Sequence, residues 1–228
     1  MMIVLTPTGG RPACIKLLAK YLNNQTMPEF TWLIVDDCDP AAPVPQMREG
    51  ITVDVLRTDW RWQPGMNTLG DSVAFALESA SSDMWAIAED DDVYLPDHLE
   101  TISAALDGCD LVGQRVSRYY NIQTRRYREI PGQRHASLCS TGFTRSKESL
   151  VREVCRHPDC QHKDVSIWHA SQGKLLDTET VVGIKGMPGR PGIGIGHRPD
   201  FGTPDPDGSV LRSWIGGYAP EYRWHRRK

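Results

Sequence analysis

Short apolar runs, separated by polar and Gly/Pro-marked stretches, pattern the first half of the chain. Residues 3–5, Ile-Val-Leu, predict a short buried strand. Residues 6–11 form a turn, and Pro12 suits the first position of a helix running to about residue 23. Residues 32–35, Trp-Leu-Ile-Val, predict a second buried strand that ends in Asp36 and Asp37. Residues 40–45 read as loop, and residues 51–56 alternate as a third strand. A helix is expected over 71–79, with Val73, Ala74, Ala76 and Leu77 inward. Residues 85–88 predict a fourth strand, 96–106 a further helix, and 111–113 the start of another strand. Beyond Gly113 the periodicity weakens. A helix is expected near 165–172, and the Gly/Pro-rich residues 183–217 read as loop.

Strands alternating with helices predict an α/β fold with a mostly parallel central sheet and helices on its faces. Ligands of such sheets sit at the carboxyl ends of strands. Thr6-Pro7-Thr8, Asp36-Asp37 and the run Glu89-Asp90-Asp91-Asp92 all fall at predicted strand ends, which places three polar clusters along one sheet edge.

The third cluster carries the strongest chemical signal. An apolar strand delivers four consecutive carboxylates and reaches a proline, Pro96, four residues later. Adjacent carboxylates raise one another's pKa. A hard divalent cation such as Mg²⁺ or Mn²⁺ relieves that repulsion and bridges carboxylates to phosphates. The competing reading is a solvated acidic lead-in to the helix that begins near Pro96.

Composition adds limits. The chain has 228 residues, 39% of them hydrophobic, and a formal net charge of −3. That is enough for one sizeable core. No basic-then-apolar leader opens the sequence and no apolar run approaches the ~20 residues of a membrane helix. The six scattered cysteines fit reduced thiols. A chain acting in the cytoplasm, away from membranes, is therefore expected. Basic residues gather at 115–134 and in the tail 223–228. Within the first stretch, Arg115, Arg118, Tyr119 and Tyr120 combine arginines for phosphates with rings for bases; the alternative is a solvated amphipathic strand pair.

In order and spacing, Ile3-Val4-Leu5-Thr6-Pro7-Thr8-Gly9-Gly10-Arg11, Leu33-Ile34-Val35-Asp36-Asp37 and Glu89-Asp90-Asp91-Asp92-Val93-Tyr94-Leu95-Pro96 together resemble glycosyltransferase family 2, of the GT-A fold. The resemblance covers residues 3–106 and, more loosely, 135–180. It implies a single GT-A domain over 1–228: a nucleotide-sugar half (1–113), an acceptor half (114–182), and a lid loop with a basic tail (183–228). It implies a nucleotide-diphospho-sugar donor, a UDP-sugar, with Mn²⁺ or Mg²⁺ as cofactor and inversion at the anomeric carbon. Thr6, Pro7, Thr8 and Arg11 would line the nucleotide pocket, and Asp36 or Asp37 would bond the base. Glu89 and Asp90 would reach the ribose, with Asp91 as principal metal ligand and Asp92 beside it. The family's Arg-Asn pair before the acidic motif is replaced here by Val73-Ala74, so Asn67 or Asp71 would substitute in gripping the donor.

Asp164 matches the family's catalytic base, although Lys163 breaks the usual acidic pair; a helix-opening acid without catalytic duty is the plain alternative. Residues 185–198 read as a mobile lid whose Lys185 and Arg190 neutralise phosphate and whose His197 completes the metal shell. Modified DNA is a known acceptor for this fold, so a hydroxymethylated pyrimidine in DNA is a candidate acceptor. Two other readings are a sugar-nucleotide nucleotidyltransferase, from the Thr8-Gly9-Gly10-Arg11 turn, and a nucleic-acid-binding protein. The latter would hold zinc on Cys155, His157, Cys160 and His162.

Overall fold

The computed structural model describes all residues except 133, 159, 161, 193 and 226–228, and leaves aside the side chains of 195 and 223–225. The last three residues of the basic tail therefore lie outside the description.

Four predicted strands appear where the apolar runs stand: β1 (Met2–Thr8), β2 (Phe30–Asp36), β3 (Ile51–Arg57) and β4 (Met84–Ile87). β2 and β4 flank β1 in parallel, and β3 runs parallel to β2. The expected helices follow as α1 (Pro12–Asn23), α2 (Leu69–Ser79) and α3 (His98–Leu106). Pro12 opens α1, because its missing N–H would have no intrahelical partner there.

Every residue of β1 and β2 is buried, so the strands are apolar on both faces. Their alternation sorts two cores. Val4, Trp32, Ile34 and Ala86 pack with Leu18 and Leu22 of α1. Ile3, Leu33, Val35, Trp85 and Ile87 pack on the opposite face with Val73 and Leu77 of α2.

The weakly patterned second half holds more regular structure than its sequence advertises. A two-residue strand β5 (Val93–Tyr94) follows the acidic run. Then come β6 (Leu111–Gln114), β7 (Val116–Asn121), β8 (Arg126–Pro131), β9 (Thr141–Thr144), α4 (Glu148–Arg156), α5 (Lys163–Ala170) and β10 (Lys174–Leu176). The expectation of loop throughout 183–217 is corrected: β11 (Val181–Lys185), β12 (Thr203–Pro204) and α6 (Ser209–Ile215) fall wholly or partly inside it.

Two sheets result. The larger has seven strands in the order β10-β6-β9-β4-β1-β2-β3, with β9 antiparallel to both β4 and β6. The smaller has five, in the order β12-β8-β7-β11-β5. Residues 88–92 carry the chain from β4 of the large sheet to β5 of the small one. The four acids thus stand where the sheets meet. Among the described residues no helix is long and apolar enough to cross a membrane, and all six cysteines are free.

Candidate donor-sugar site

The turn after β1 reaches the acids directly. Thr8 Oγ1 donates to Asp90 Oδ2 at 2.6 Å. Arg11 lies 2.5 Å from Asp90 Oδ1 through Nη2 and donates from Nη1 to Asp91 Oδ2 at 2.8 Å. From the small sheet, the Ile184 amide donates to Asp92 Oδ1 at 2.8 Å, and Lys185 Nζ stands 3.4 Å from the same oxygen. Asp90, Asp91 and Asp92 are all buried, and Glu89 is half-buried.

Four formal negative charges here face two positive ones, so two remain uncompensated. Burial pushes Asp90 and Asp92 up to about 6, against the pull of Arg11 and Lys185 respectively. Burial and then Asp92 push Glu89 up to about 8. Burial acts in the same sense on Asp91, but Lys185 and Arg11 outweigh it and hold that carboxyl below its usual value. Lys185 is the converse: burial would lower its pKa, and Asp92, Asp91 and Glu89 keep it well above normal.

Two buried carboxylate oxygens, Asp91 Oδ1 and Asp92 Oδ2, accept no hydrogen bond, whereas Asp90 Oδ1 lies in the ion pair with Arg11. A buried carboxylate oxygen without a partner is costly. Unpaired hard oxygens and a negative surplus, two charges by formal count and one while Glu89 keeps its proton, fit a hard divalent cation. Among the described residues, the one group of three potential ligands drawn to a common point is Glu89, Asp92 and Cys139. Burial, and then Asp92, keep the Cys139 thiol protonated, with its pKa well above normal. It is therefore a poor ligand for a hard ion. His197 joins no such group. Its pKa falls to about 4 through burial and the nearby Lys185, so the ring is neutral.

The second acidic pair separates into two roles. Asp36 is spent on local structure: it accepts from the Cys38 amide at 3.0 Å, the Ala42 amide at 2.7 Å and Arg57 Nη1 at 2.7 Å. Asp37 faces the other way. Thr68 Oγ1 donates to its Oδ2, and Arg190 Nη1 lies 3.2 and 3.1 Å from its two oxygens. The backbone permits this because residue 9 is glycine; a Cβ there would sit 2.0 Å from Asp37 Oδ1.

Other sequence candidates are placed less directly. Thr6 is fully buried, its hydroxyl accepting from Trp32 Nε1 at 2.9 Å, and Pro7 is buried beside it in β1. Asn67 is exposed and accepts from the Leu69 amide at 3.3 Å. Asp71, also exposed, opens α2. Asp164 sits half-buried in the first turn of α5, accepting from the Val165 amide at 2.9 Å.

In the basic stretch, Arg115 pairs with Asp177 at 2.5 Å, and Arg118 pairs with Glu129 at 2.9 Å and Glu179 at 2.6 Å. Tyr119 bonds Ser137 at 2.5 Å, and Tyr120 is buried with no ring face to offer a base. The four zinc candidates do not converge: Cys155 is buried in the α2–α4 core, and Cys160 Sγ donates to Ser166 Oγ at 3.1 Å. Sequence reasoning passed over Thr68, Trp62 and Cys139. The first two lie in the polar, tryptophan-bearing loop 58–68, where an Asn-Thr pair before a helix was the available signal.

An α/β sheet with a Thr-Gly-Gly-Arg turn after its first strand and acids at the ends of its second and fourth, continued into a second sheet through an acidic turn, is an architecture of the GT-A class. The sequence model of glycosyl transferase family 2 matches residues 3–160, and the chain belongs to that family. Among solved structures it is similar to S. aureus TarS residues 1–349 in complex with UDP-GlcNAc, with TM-score 0.57 and 16% identity over 81% of this chain and 58% of that one. It is likewise similar to a longer S. aureus TarS structure, with TM-score 0.56 and 16% identity over 80% of this chain and 36% of that one. The chain thus spans about a third to three-fifths of the structures it resembles. No curated protein matches it.

Proposed function

We propose that this chain is a glycosyltransferase that moves a sugar from a UDP-sugar to an acceptor hydroxyl, with a divalent cation, Mn²⁺ or Mg²⁺, at the acidic turn. The observation that carries this reading is the pair of orphaned buried oxygens, Asp91 Oδ1 and Asp92 Oδ2, in a cage whose carboxyl groups outnumber its two cations. Asp91 and Asp92, with Glu89 beside them, would hold the cation. When bound, it supplies positive charge that stabilises the leaving nucleoside diphosphate.

The remaining chemistry belongs to the protein. Asp37, with Thr68 fixed against it, accepts an N–H from the base, while Asp36 keeps the loop in shape. Asp90 is held by Thr8 and Arg11 at the edge of the cluster, where a ribose hydroxyl would approach. Arg11 and Lys185, already drawn to the carboxylates, bring cationic charge to the diphosphate. Asp164 takes the proton from the acceptor hydroxyl as the new bond to the anomeric carbon forms, with inversion there. The ion-paired Arg115 and Arg118 and the buried Tyr120 weaken the case for that stretch as a DNA-phosphate surface. A hydroxymethylated pyrimidine in DNA therefore enters as one acceptor to be assayed among several hydroxyl acceptors.

The decisive experiment is Asp91→Ala, assayed for UDP release from UDP-sugars and for Mn²⁺-dependent UDP binding. Both are expected to vanish. Retention of full turnover would overturn the assignment.

A further inference from the structure

The guanidinium of Arg190 makes three contacts of a kind that a nucleobase would make. It faces the carboxylate of Asp37, with Nη1 at 3.1 and 3.2 Å. It donates from Nη2 to Thr68 Oγ1 at 2.7 Å. Its carbon lies over the Trp62 ring, 4.9 Å from the centroid. Trp62 is fixed from two sides: its amide donates to the Asp37 carbonyl at 2.9 Å, and its Nε1 donates to the Met66 carbonyl at 3.0 Å. A planar group with N–H donors along one edge thus rests on an indole and points at a buried acid. Guanidinium shares planarity, edge donors and aromatic stacking with a base.

The position is built rather than accidental. Gly9 leaves room for Asp37 and Arg190 together, since a Cβ there would come 2.0 Å from one and 3.1 Å from the other. Gly189 has φ +101°, in the left-handed region, and a Cβ on it would lie 2.8 Å from the Gly10 carbonyl oxygen. The residue before Arg190 is therefore free to press against the β1 turn.

We propose that Trp62 is the stacking platform for the donor's base and that Arg190 is a built-in competitor for the same place, so that the base binds only as this guanidinium withdraws. The inference rests on the donor reading above, with Asp37 as the base's partner. It departs from a phosphate-clamp role for Arg190, because both terminal nitrogens are engaged at the base end. Competition of this kind lowers apparent affinity by the fraction of molecules in which the place is open.

Uridine, which lacks phosphate, separates the two roles. Binding of uridine and of UDP would be measured by ligand-observed NMR and calorimetry, with Mn²⁺ present, for wild type, Arg190→Ala, Trp62→Ala, Trp62→Phe and Asp37→Asn. Arg190→Ala is expected to tighten uridine at least fivefold. Trp62→Ala is expected to weaken uridine and UDP at least tenfold, with Trp62→Phe recovering most of the loss. Thermal melts confirm that each variant is folded. If Arg190→Ala leaves uridine unchanged or weaker and loses only UDP, Arg190 is a phosphate clamp and the competitor role is overturned. Unchanged binding in Trp62→Ala overturns the platform. Asp37→Asn binding UDP as tightly as wild type would instead sink the base assignment beneath both.

Discussion

Arg11 Nη1 donates to Asp91 Oδ2 across 2.8 Å, joining the turn after β1 to the acidic run after β4 with both side chains largely enclosed. These are adjacent parallel strands, so the contact fixes the two strand ends against each other. The same guanidinium reaches Asp90. Its loss would leave two buried carboxylates with one cation fewer. Arg11→Ala is therefore expected to destabilise the fold by roughly 3–5 kcal/mol, the usual cost of stripping one partner from a buried pair. Denaturant unfolding measures this, and a loss below 1 kcal/mol would contradict it.

Mn²⁺ is expected to raise the melting temperature of the wild-type protein, and Asp92→Asn is expected to shrink that rise. A ligand bound only to the folded state raises stability by RT ln(1 + [L]/Kd), so weaker binding gives a smaller rise. The variant keeps the side chain's shape but removes one of the negative charges. An undiminished Mn²⁺ shift would place the cation elsewhere.

Gly9→Ala tests the approach of the first turn to Asp37. The added methyl would meet Asp37 Oδ1 at 2.0 Å, so the carboxylate must move. UDP affinity should fall about tenfold, the equivalent of about 1.4 kcal/mol. Tighter or equal UDP binding in calorimetry would show that Asp37 does not hold the nucleotide.

His98 supplies a pH dependence that is independent of the acids. It is buried at the start of α3, its Nδ1 bonded to Thr180 Oγ1 at 2.9 Å and its ring 5.1 Å from that of Tyr94. Burial lowers its pKa to about 3. The unfolded chain, with an ordinary histidine near 6.5, binds the proton first as pH falls, so stability is full above about 6.5 and declines between 6.5 and 3. Between pH 7 and pH 5 the expected loss from this residue is about 2 kcal/mol. The raised carboxyls of Glu89, Asp90 and Asp92 act in the opposite sense over this range in both proteins, so His98→Gln should shift the change in stability from pH 7 to pH 5 by about 2 kcal/mol in favour of pH 5 relative to wild type in urea titrations. Parallel slopes would show that His98 is not the source.

The sequence made the first four strands and three helices legible because each apolar run there is short, dense and closed by a turn residue. It made the acidic cluster legible because four carboxylates after Trp85-Ala86-Ile87-Ala88 have few structural uses. What it hid has physical reasons. Helix α4 buries only Val151 and Cys155 among nine residues, too few for a periodic signal. The β7–β8 hairpin is largely half-exposed, and its arginines are matched by acids distant in sequence, such as Glu179. The last three residues of β11 fall in the glycine-rich stretch that reads as loop, although Val181, Val182 and Ile184 of that strand are wholly or nearly wholly buried. That Asp36 is tied into its own loop while Asp37 faces Thr68 and Arg190 is visible only in coordinates, since adjacent strand-end residues point opposite ways.

Asp92 has a second employment that bears on how any loss of activity is interpreted. Its Oδ1 takes the backbone amide of Ile184 in β11, so one carboxylate of the acidic turn also pins the smaller sheet to the larger. A cation settling there would act as a rivet as well as a reagent. Heat, chelation and mutation at this one point should loosen the same joint, and the protein's rigidity should track its metal content even with no substrate present.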